Sequence, residues 1–173
     1  MIFWKVIAFT ISLQFFSLST YAEEKSRYEV AGIDNESEFE EFFFSIQRNI
    51  KEEDYADLAS KISFPISYEY KGATYQVNNE EEFVEKVEFI ISNDFKKAIL
   101  CENIENLRIS SYGVRAIRGS IWMNLIYIGD EKTLPTFVSD FSNRDKWQYK
   151  ITSLKETFLV REFLSECKTA NGE

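Results

Sequence analysis

The feature that most limits what this chain can fold into is its changing hydrophobic period: helical, then two-residue, helical again, and two-residue once more. Phe39, Phe43, Ile46 and Ile50 recur at 4-3-4 spacing, which sets them on one face of a helix. Ser37 followed by Glu40 reads as a capping box at its start, and Phe42 and Phe44 widen the apolar face. Tyr55, Leu58, Ala59 and Ile62 are in phase for a second, short helix. Phe64, Ile66, Tyr68 and Tyr70 then alternate with Pro65, Ser67, Glu69 and Lys71, as a strand with one buried face requires. Pro65 lacks an amide proton, so it belongs at the strand's start or on an edge. Lys71-Gly72-Ala73 reads as a turn into a returning strand that holds Tyr75 and Val77.

Asn79 with Glu82 three residues later marks the next helix start, and Phe83, Val87, Ile90 and Ile91 supply its apolar stripe. A further helical turn covers Phe95 to Leu100. Strand signals follow. Leu107 and Ile109 alternate before a turn at Tyr112-Gly113, and Val114 to Ile128 reads as one long strand that bends at Gly119. Beyond Gly119, Ile121, Met123, Leu125 and Tyr127 face one way, and Trp122, Asn124, Ile126 and Ile128 the other. Gly129 to Asn143 reads as a loop, Trp147, Tyr149 and Ile151 alternate in a last strand, and Phe158 to Leu164 suit a terminal helix. The expectation is an α+β fold, a curved antiparallel sheet with the N-terminal helices packed on its concave face.

Residues 1–22, MIFWKVIAFTISLQFFSLSTYA, have a different purpose. Lys5 is their only charge, an apolar stretch follows, and Thr20-Tyr21-Ala22 ends it with small residues where a signal peptidase needs them. This is the layout of a secretory signal peptide cleaved after Ala22, and it predicts a periplasmic or secreted protein. A membrane anchor is the competing reading, since Ile2 to Tyr21 is just long enough to span a bilayer. Five polar residues from Thr10 to Ser19 interrupt it, no basic cluster follows, and no Cys offers a site for a lipid anchor. The expected organisation is a signal peptide over 1–22, a loose polar leader over 23–36, one domain over 37–154, and a partly helical tail over 155–173.

The chain carries 20 Lys and Arg, one of them Lys5, against 29 Asp and Glu; without residues 1–22 the tally is 19 against 29, a net charge of −10. Such a surface repels phosphate backbones, so nucleic acid is not an expected partner. The two cysteines, Cys101 and Cys167, suggest a disulfide in an oxidising compartment, two separate thiols being the alternative. A bridge would fasten the C-terminal tail to the body. A metal site is not expected, because the chain has no histidine and no set of ligands at metal-binding spacing.

The element order resembles the nuclear transport factor 2-like superfamily, the cystatin-like α+β cone. The resemblance lies in the amphipathic first helix, the short second helix ending in Ile62-Ser63-Phe64-Pro65, the hairpin and third helix, and a bent strand with Gly113-Val114 and Gly119-Ser120-Ile121-Trp122. The Phe-Pro strand start with a later Gly-x-Ile-Trp strand is similar to a group of small secreted bacterial members of unassigned function. The resemblance implies a cone with its mouth between helices and sheet. Some members, such as ketosteroid isomerases and scytalone dehydratases, do chemistry there; others bind small molecules, dimerise or serve in protein interactions.

Catalysis of the isomerase type needs an inward base and donors for a developing enolate. Tyrosines are plentiful, but Glu69 alternates out of phase with the buried strand positions and 113–128 contains no Asp or Glu. The weak catalytic candidates are therefore Asp54 and Asp57 on the second helix, with Tyr68 as a donor; a solvated helix face is the alternative for both acids. Without histidine, Ser-His and Cys-His nucleophiles are excluded. Tyr68, Trp122 and Asn124 are the ligand-binding candidates, Asn124 being either hydrogen-bonded structurally or aimed at a ligand. The sequence thus points to an exported, non-catalytic binding domain without a cofactor, engaging a protein partner or a second copy of itself. A small-molecule binder or isomerase-like enzyme using the cone, and an immunity-type partner of a basic toxin, are the alternatives.

Overall fold

A computed structural model describes residues 26–70, 73–129 and 141–170. It is an α+β fold with, among the described residues, five α-helices, a two-stranded antiparallel sheet and a four-stranded antiparallel sheet. Helix α1 spans Glu36–Glu52 and α2 spans Tyr55–Ser60. Strands β1 (Ile66–Tyr70) and β2 (Ala73–Val77) form a hairpin with Tyr68 opposite Tyr75. Helices α3 (Glu80–Ile90) and α4 (Asn93–Cys101) follow. A meander of β3 (Arg108–Ser110), β4 (Gly113–Ala116), β5 (Ile121–Tyr127) and β6 (Trp147–Leu154) comes next, and α5 (Leu159–Ala170) ends the described chain. The signal-peptide segment, the Lys71-Gly72 turn and most of the 129–143 loop lie outside the described residues.

The apolar stripes read from the sequence are the faces that pack. Phe39, Phe43, Ile46 and Ile50 of α1 are buried, as are Phe83, Val87 and Ile90 of α3 and Ile121, Met123 and Ile151 of the sheet. On α1 Phe44 is an exception: it is 44% exposed, so this helix is covered on one side only. The α1 cap is Asn35 in place of the expected Ser37, with the Asn35 side chain accepting from the Glu38 amide at 3.2 Å. The α3 cap is the expected one, Asn79 accepting from Glu82 at 2.9 Å.

Two readings need correction. The described part of the stretch read as a loose leader, residues 26–36, is anchored: Tyr28 and Ile33 are fully buried, and Arg27 donates to the Leu107 carbonyl at 3.0 Å. Burial of the Tyr28 ring raises its phenol pKa to about 12. Second, the long bent strand expected over 114–128 is a hairpin. β4 pairs with β5, Ala116 opposite Ile121, and the chain reverses through Ile117, Arg118 and Gly119, all at positive φ (47°, 54° and 95°). The glycine was legible as a break in a strand, but alternation alone does not distinguish a bend from a reversal. A register shift does exist, between Trp122 and Met123, where Thr152 on β6 is the extra residue.

The hairpin β1–β2 leads out of a parallel bridge between Ile62 and Ile151 on β6. The chain therefore runs from the end of α2 along the edge of the meander, and the helices lie against the core face that carries Tyr149 and Ile151. Cys101 at the end of α4 and Cys167 in α5 are joined by a disulfide, their Cα atoms 6.2 Å apart. No helix among the described residues is long and apolar enough to cross a membrane.

Candidate functional site

A polar arrangement with open room around it sits where the N-terminal half of α1 faces the first residues of β6. Between them runs an open groove of about 420 Å³. Glu38, Glu41, Phe42 and Ser45 form its α1 wall, Trp147 to Lys150 its β6 wall, and Ser60 and Lys61 close one end. Helical spacing explains the first wall, since 38, 41, 42 and 45 lie three or four residues apart along one face. The Phe42 and Tyr149 rings lie 5.8 Å apart, and Trp147 stacks edge-on against Tyr127 at 5.3 Å. The groove is thus lined by Phe42, Trp147 and Tyr149, with the Glu38 and Glu41 carboxylates on one wall, the Lys150 ammonium on the other and Lys61 at the end.

One rim is held by Arg144, just ahead of β6. Its guanidinium pairs with Asp34 at 3.2 Å and Glu38 at 3.0 Å, and it donates to the Tyr149 hydroxyl at 3.0 Å. Tyr149 in turn donates to the Asn35 carbonyl at 3.3 Å. Burial raises the Tyr149 pKa, with Arg144 opposing the shift. This phenol is therefore a neutral hydrogen-bonding strut that ties β6 to the cap of α1. Lys150 donates to the Ser60 carbonyl at 2.6 Å, tying the other end.

The residues singled out from the sequence are not brought together. Asp54 caps α2 by accepting from the Asp57 amide at 3.1 Å. Asp57 accepts from the buried Asn49 side chain at 2.9 Å and pairs with Lys61 at 3.1 Å. Those partners, Asn49 foremost, hold its carboxyl below the usual range, the opposite of what a general base at neutral pH needs. Tyr68 is buried in the hairpin and stacks on Tyr75 at 5.3 Å. Trp122 donates from Nε1 to the Gly119 carbonyl at 3.1 Å and lies under the Arg115 guanidinium at 5.0 Å. Asn124 donates to Thr152 at 2.8 Å and packs so close to Gly113 that an added Cβ there would meet its Oδ1 at 2.0 Å. Both residues brace the meander: Trp122 holds the β4–β5 turn and Asn124 the β6 bulge.

Sequence reading missed Arg144 and Glu102. Arg144 follows directly on a stretch read as loop, and a single arginine there carries no periodic signal. Glu102 is a buried carboxylate that accepts from the Ile117 amide at 2.6 Å and the Asn103 amide at 3.1 Å. Its pKa is raised by burial, against the pull of those two bonds. It anchors the left-handed reversal at Ile117 and Arg118 and makes no contact with the groove. Among the described residues no group of His, Cys, Asp and Glu is arranged to hold a metal ion. No protein-family model matches this chain, and neither does any curated protein or solved structure.

Proposed function

We propose that this protein is an exported, non-catalytic binding domain that recognises a protein partner through the groove between α1 and β6. The observation that carries the reading is the groove itself, lined by aromatic rings and oppositely charged on its two walls, with its carboxylates already engaged. Glu38 is paired with Arg144 and Glu41 with Arg48 at 3.6 Å. Such a site recognises a complementary surface, and neither carboxylate is poised for proton transfer. Export rests on the layout of residues 1–22 and is supported by the Cys101–Cys167 disulfide. The element order supports membership of the nuclear transport factor 2-like superfamily, as does the parallel contact of the first hairpin's chain with β6.

The test is a photo-crosslinking side chain in place of Gln148, on the β6 wall, in cells that export the protein, with the same group in place of Glu105 as a remote control. A protein adduct formed from position 148 and not from 105 is the expected outcome. Adducts from neither position, with a small molecule retained in the native mass spectrum, would instead support a ligand-binding role.

A second reading, an immunity-type partner that covers a basic toxin surface, is favoured by the distribution of charge. Helices α1 and α3 together contain ten Glu against Arg48, Lys51 and Lys86, whereas β3 to β6 contain no carboxylate. An acidic helical layer would draw in a basic partner and speed its association. Association that keeps the same rate when salt is raised to about 1 M would exclude this reading, because exposed charges are then screened within about 3 Å.

A further inference from the structure

We infer that the outer face of the meander carries a second recognition site, a pair of arginines that takes a carboxylate from an acidic segment of a protein partner. Val114 and Met123 lie opposite one another on β4 and β5 and are fully buried on the core side. Side chains alternate along a strand, so Arg115 and Trp122, the next opposed pair, face outward. The register extends this pair across a third strand, since Arg108 on β3 lies opposite Arg115. Side chains directly opposite on antiparallel strands share a face, with Cβ atoms about 5 Å apart. Two guanidinium groups and an indole therefore form one row across the sheet. Strand β5 stands between the arginines and β6, so the row is distinct from the groove.

Like charges directly opposite one another weaken a strand pair. Among the described residues neither Arg108 nor Arg115 has a carboxylate partner to relieve this. The chain does not lack carboxylates: it has 29 Asp and Glu, and Arg27, Arg48, Arg118 and Arg144 each pair with one. Arg161, which has none either, lines a cleft that also holds Asp94. Arg115 is held in place by other means. Its guanidinium lies over the Trp122 ring at 5.0 Å, and the ring is fixed by its bond to the Gly119 carbonyl at 3.1 Å. The Arg115 Nε is buried without an acceptor, so the charge is only partly compensated where it sits. Arg108 stands exposed beside it. A guanidinium laid flat on a ring offers its N–H groups at the edge, and a planar carboxylate matches that edge with two parallel bonds. The net charge of −9 turns away a polyanionic chain, which a single carboxylate among apolar neighbours is not. Small ligands are held in concave sites, whereas Arg108 is exposed on a sheet face, so the carboxylate arrives on a protein surface. Tyr112, 81% exposed at the turn that joins β3 to β4, adds the kind of aromatic area that protein interfaces use.

The probe is a displayed library of random heptapeptides selected on the purified, disulfide-intact protein. The expected result is enrichment of peptides that carry Asp or Glu beside an aromatic or aliphatic residue. Their affinity should fall about tenfold in Arg108→Gln and in Arg115→Gln, the weight of a lost bond to a charged group, and stay unchanged in Arg161→Gln. Near-ultraviolet circular dichroism and the melting curve establish that each variant is folded. Arg108→Gln removes the exposed member and leaves the Arg115–Trp122 stack in place, so the test stands even where Arg115→Gln fails to fold. Replacing the acidic residue of the peptide by its amide should abolish binding. In nitrogen-15 spectra of the arginine side chains, the Arg115 Nε–H signal should move on adding peptide and the Arg161 signal should not. No acidic enrichment, or binding indifferent to both Arg108→Gln and Arg115→Gln, would overturn the site. Displacement of the peptide by inorganic phosphate and not by acetate, at matched ionic strength, would overturn the carboxylate in favour of a phosphate group. None of these outcomes depends on crosslinking at position 148, so this site and the groove stand or fall separately.

Discussion

The two ends of the meander are built on opposite plans. At the β4–β5 turn everything is fastened: Ile117 and Arg118 sit at positive φ, a conformation that costs a β-branched residue of order 1–3 kcal/mol, and several groups hold them there. Glu102 accepts from the Ile117 amide, Trp122 clasps Gly119, and Arg118 reaches both Glu162, at 3.1 Å, and Glu166 on α5. The disulfide joins α5 to α4 one residue before Glu102. At the start of β6, by contrast, a groove runs beside the strand, and the ties are side-chain hydrogen bonds: Arg144 to the Tyr149 hydroxyl, Tyr149 to the Asn35 carbonyl and Lys150 to the Ser60 carbonyl. A strained reversal persists only where its surroundings over-determine it, whereas a groove needs room that its surroundings leave free.

This contrast can be broken in four places. The largest effect is expected from Cys101→Ala with Cys167→Ala. The bridge closes a separation of 66 residues, so its loss should lower stability by roughly 4 kcal/mol in the chain-entropy picture, read as a lower urea midpoint. Partner binding by the fraction that remains folded should be unchanged; loss of both stability and binding would show that the two ends are coupled.

Next is Gly113→Ala. Gly113 has φ of +120°, and a Cβ there would lie 2.0 Å from Asn124 Oδ1 and 2.8 Å from the Met123 carbonyl. A cost of about 2–3 kcal/mol follows from the forced conformation and overlap together. Adding Asn124→Ala should recover part of it by removing the side-chain clash, while the Met123 carbonyl stays. No recovery would show that the backbone alone excludes a side chain there.

Glu102→Gln should cost about 1–2 kcal/mol, because an amide can accept only one of the two N–H groups and turns its NH₂ toward the other. The sign of its pH dependence is also set. The folded-state pKa is raised, so the native protein binds a proton more readily than the unfolded chain. The corresponding stability is fully present below the unfolded carboxyl pKa and is lost as pH rises through the folded one. The difference between wild type and Glu102→Gln should therefore grow in favour of wild type as pH falls from neutral toward about 4.5, followed by denaturant melts. A difference that shrinks instead would mean that Glu102 is not desolvated.

The smallest effect is expected from Asp57→Asn, below about 1 kcal/mol for an exposed pair. Here the folded pKa is lowered, so the contribution is present above the unfolded value and lost as pH falls through the folded one. Binding at the groove should be untouched. A large loss of binding or of any activity would return Asp57 to the role of a functional carboxylate.

How much was legible varied with the type of signal. The stripes of α1 and α3 and the alternation of β1, β5 and β6 could be read because burial imposes a period that a single sequence displays. Asn79 was read correctly as a cap, whereas Ser37 was preferred to Asn35 because both residue types cap helices and only the Glu38 amide decides between them. The hairpin at 116–121 was read as one strand, since two strands that share a core face keep the same alternation across a tight reversal. Of the candidate site, Tyr149 was visible as a buried strand tyrosine and nothing more. Its use depends on Arg144, Asp34, Glu38 and Asn35, which lie as many as 110 positions away from one another in the chain or as few as one.

The sequence by itself determined which faces are buried, the order of helices and strands, and the pair of cysteines able to bridge, because each depends on the local pattern or on composition. Only the tertiary structure decided that Asp57 is tied to Asn49 and Lys61, that Glu102 lies buried under Ile117, and that α1 and β6 leave a groove between them. Those outcomes depend on how distant segments meet. A polar side chain or a strand edge acquires its role from the groups that do or do not arrive to satisfy it, and no local pattern records that arrival.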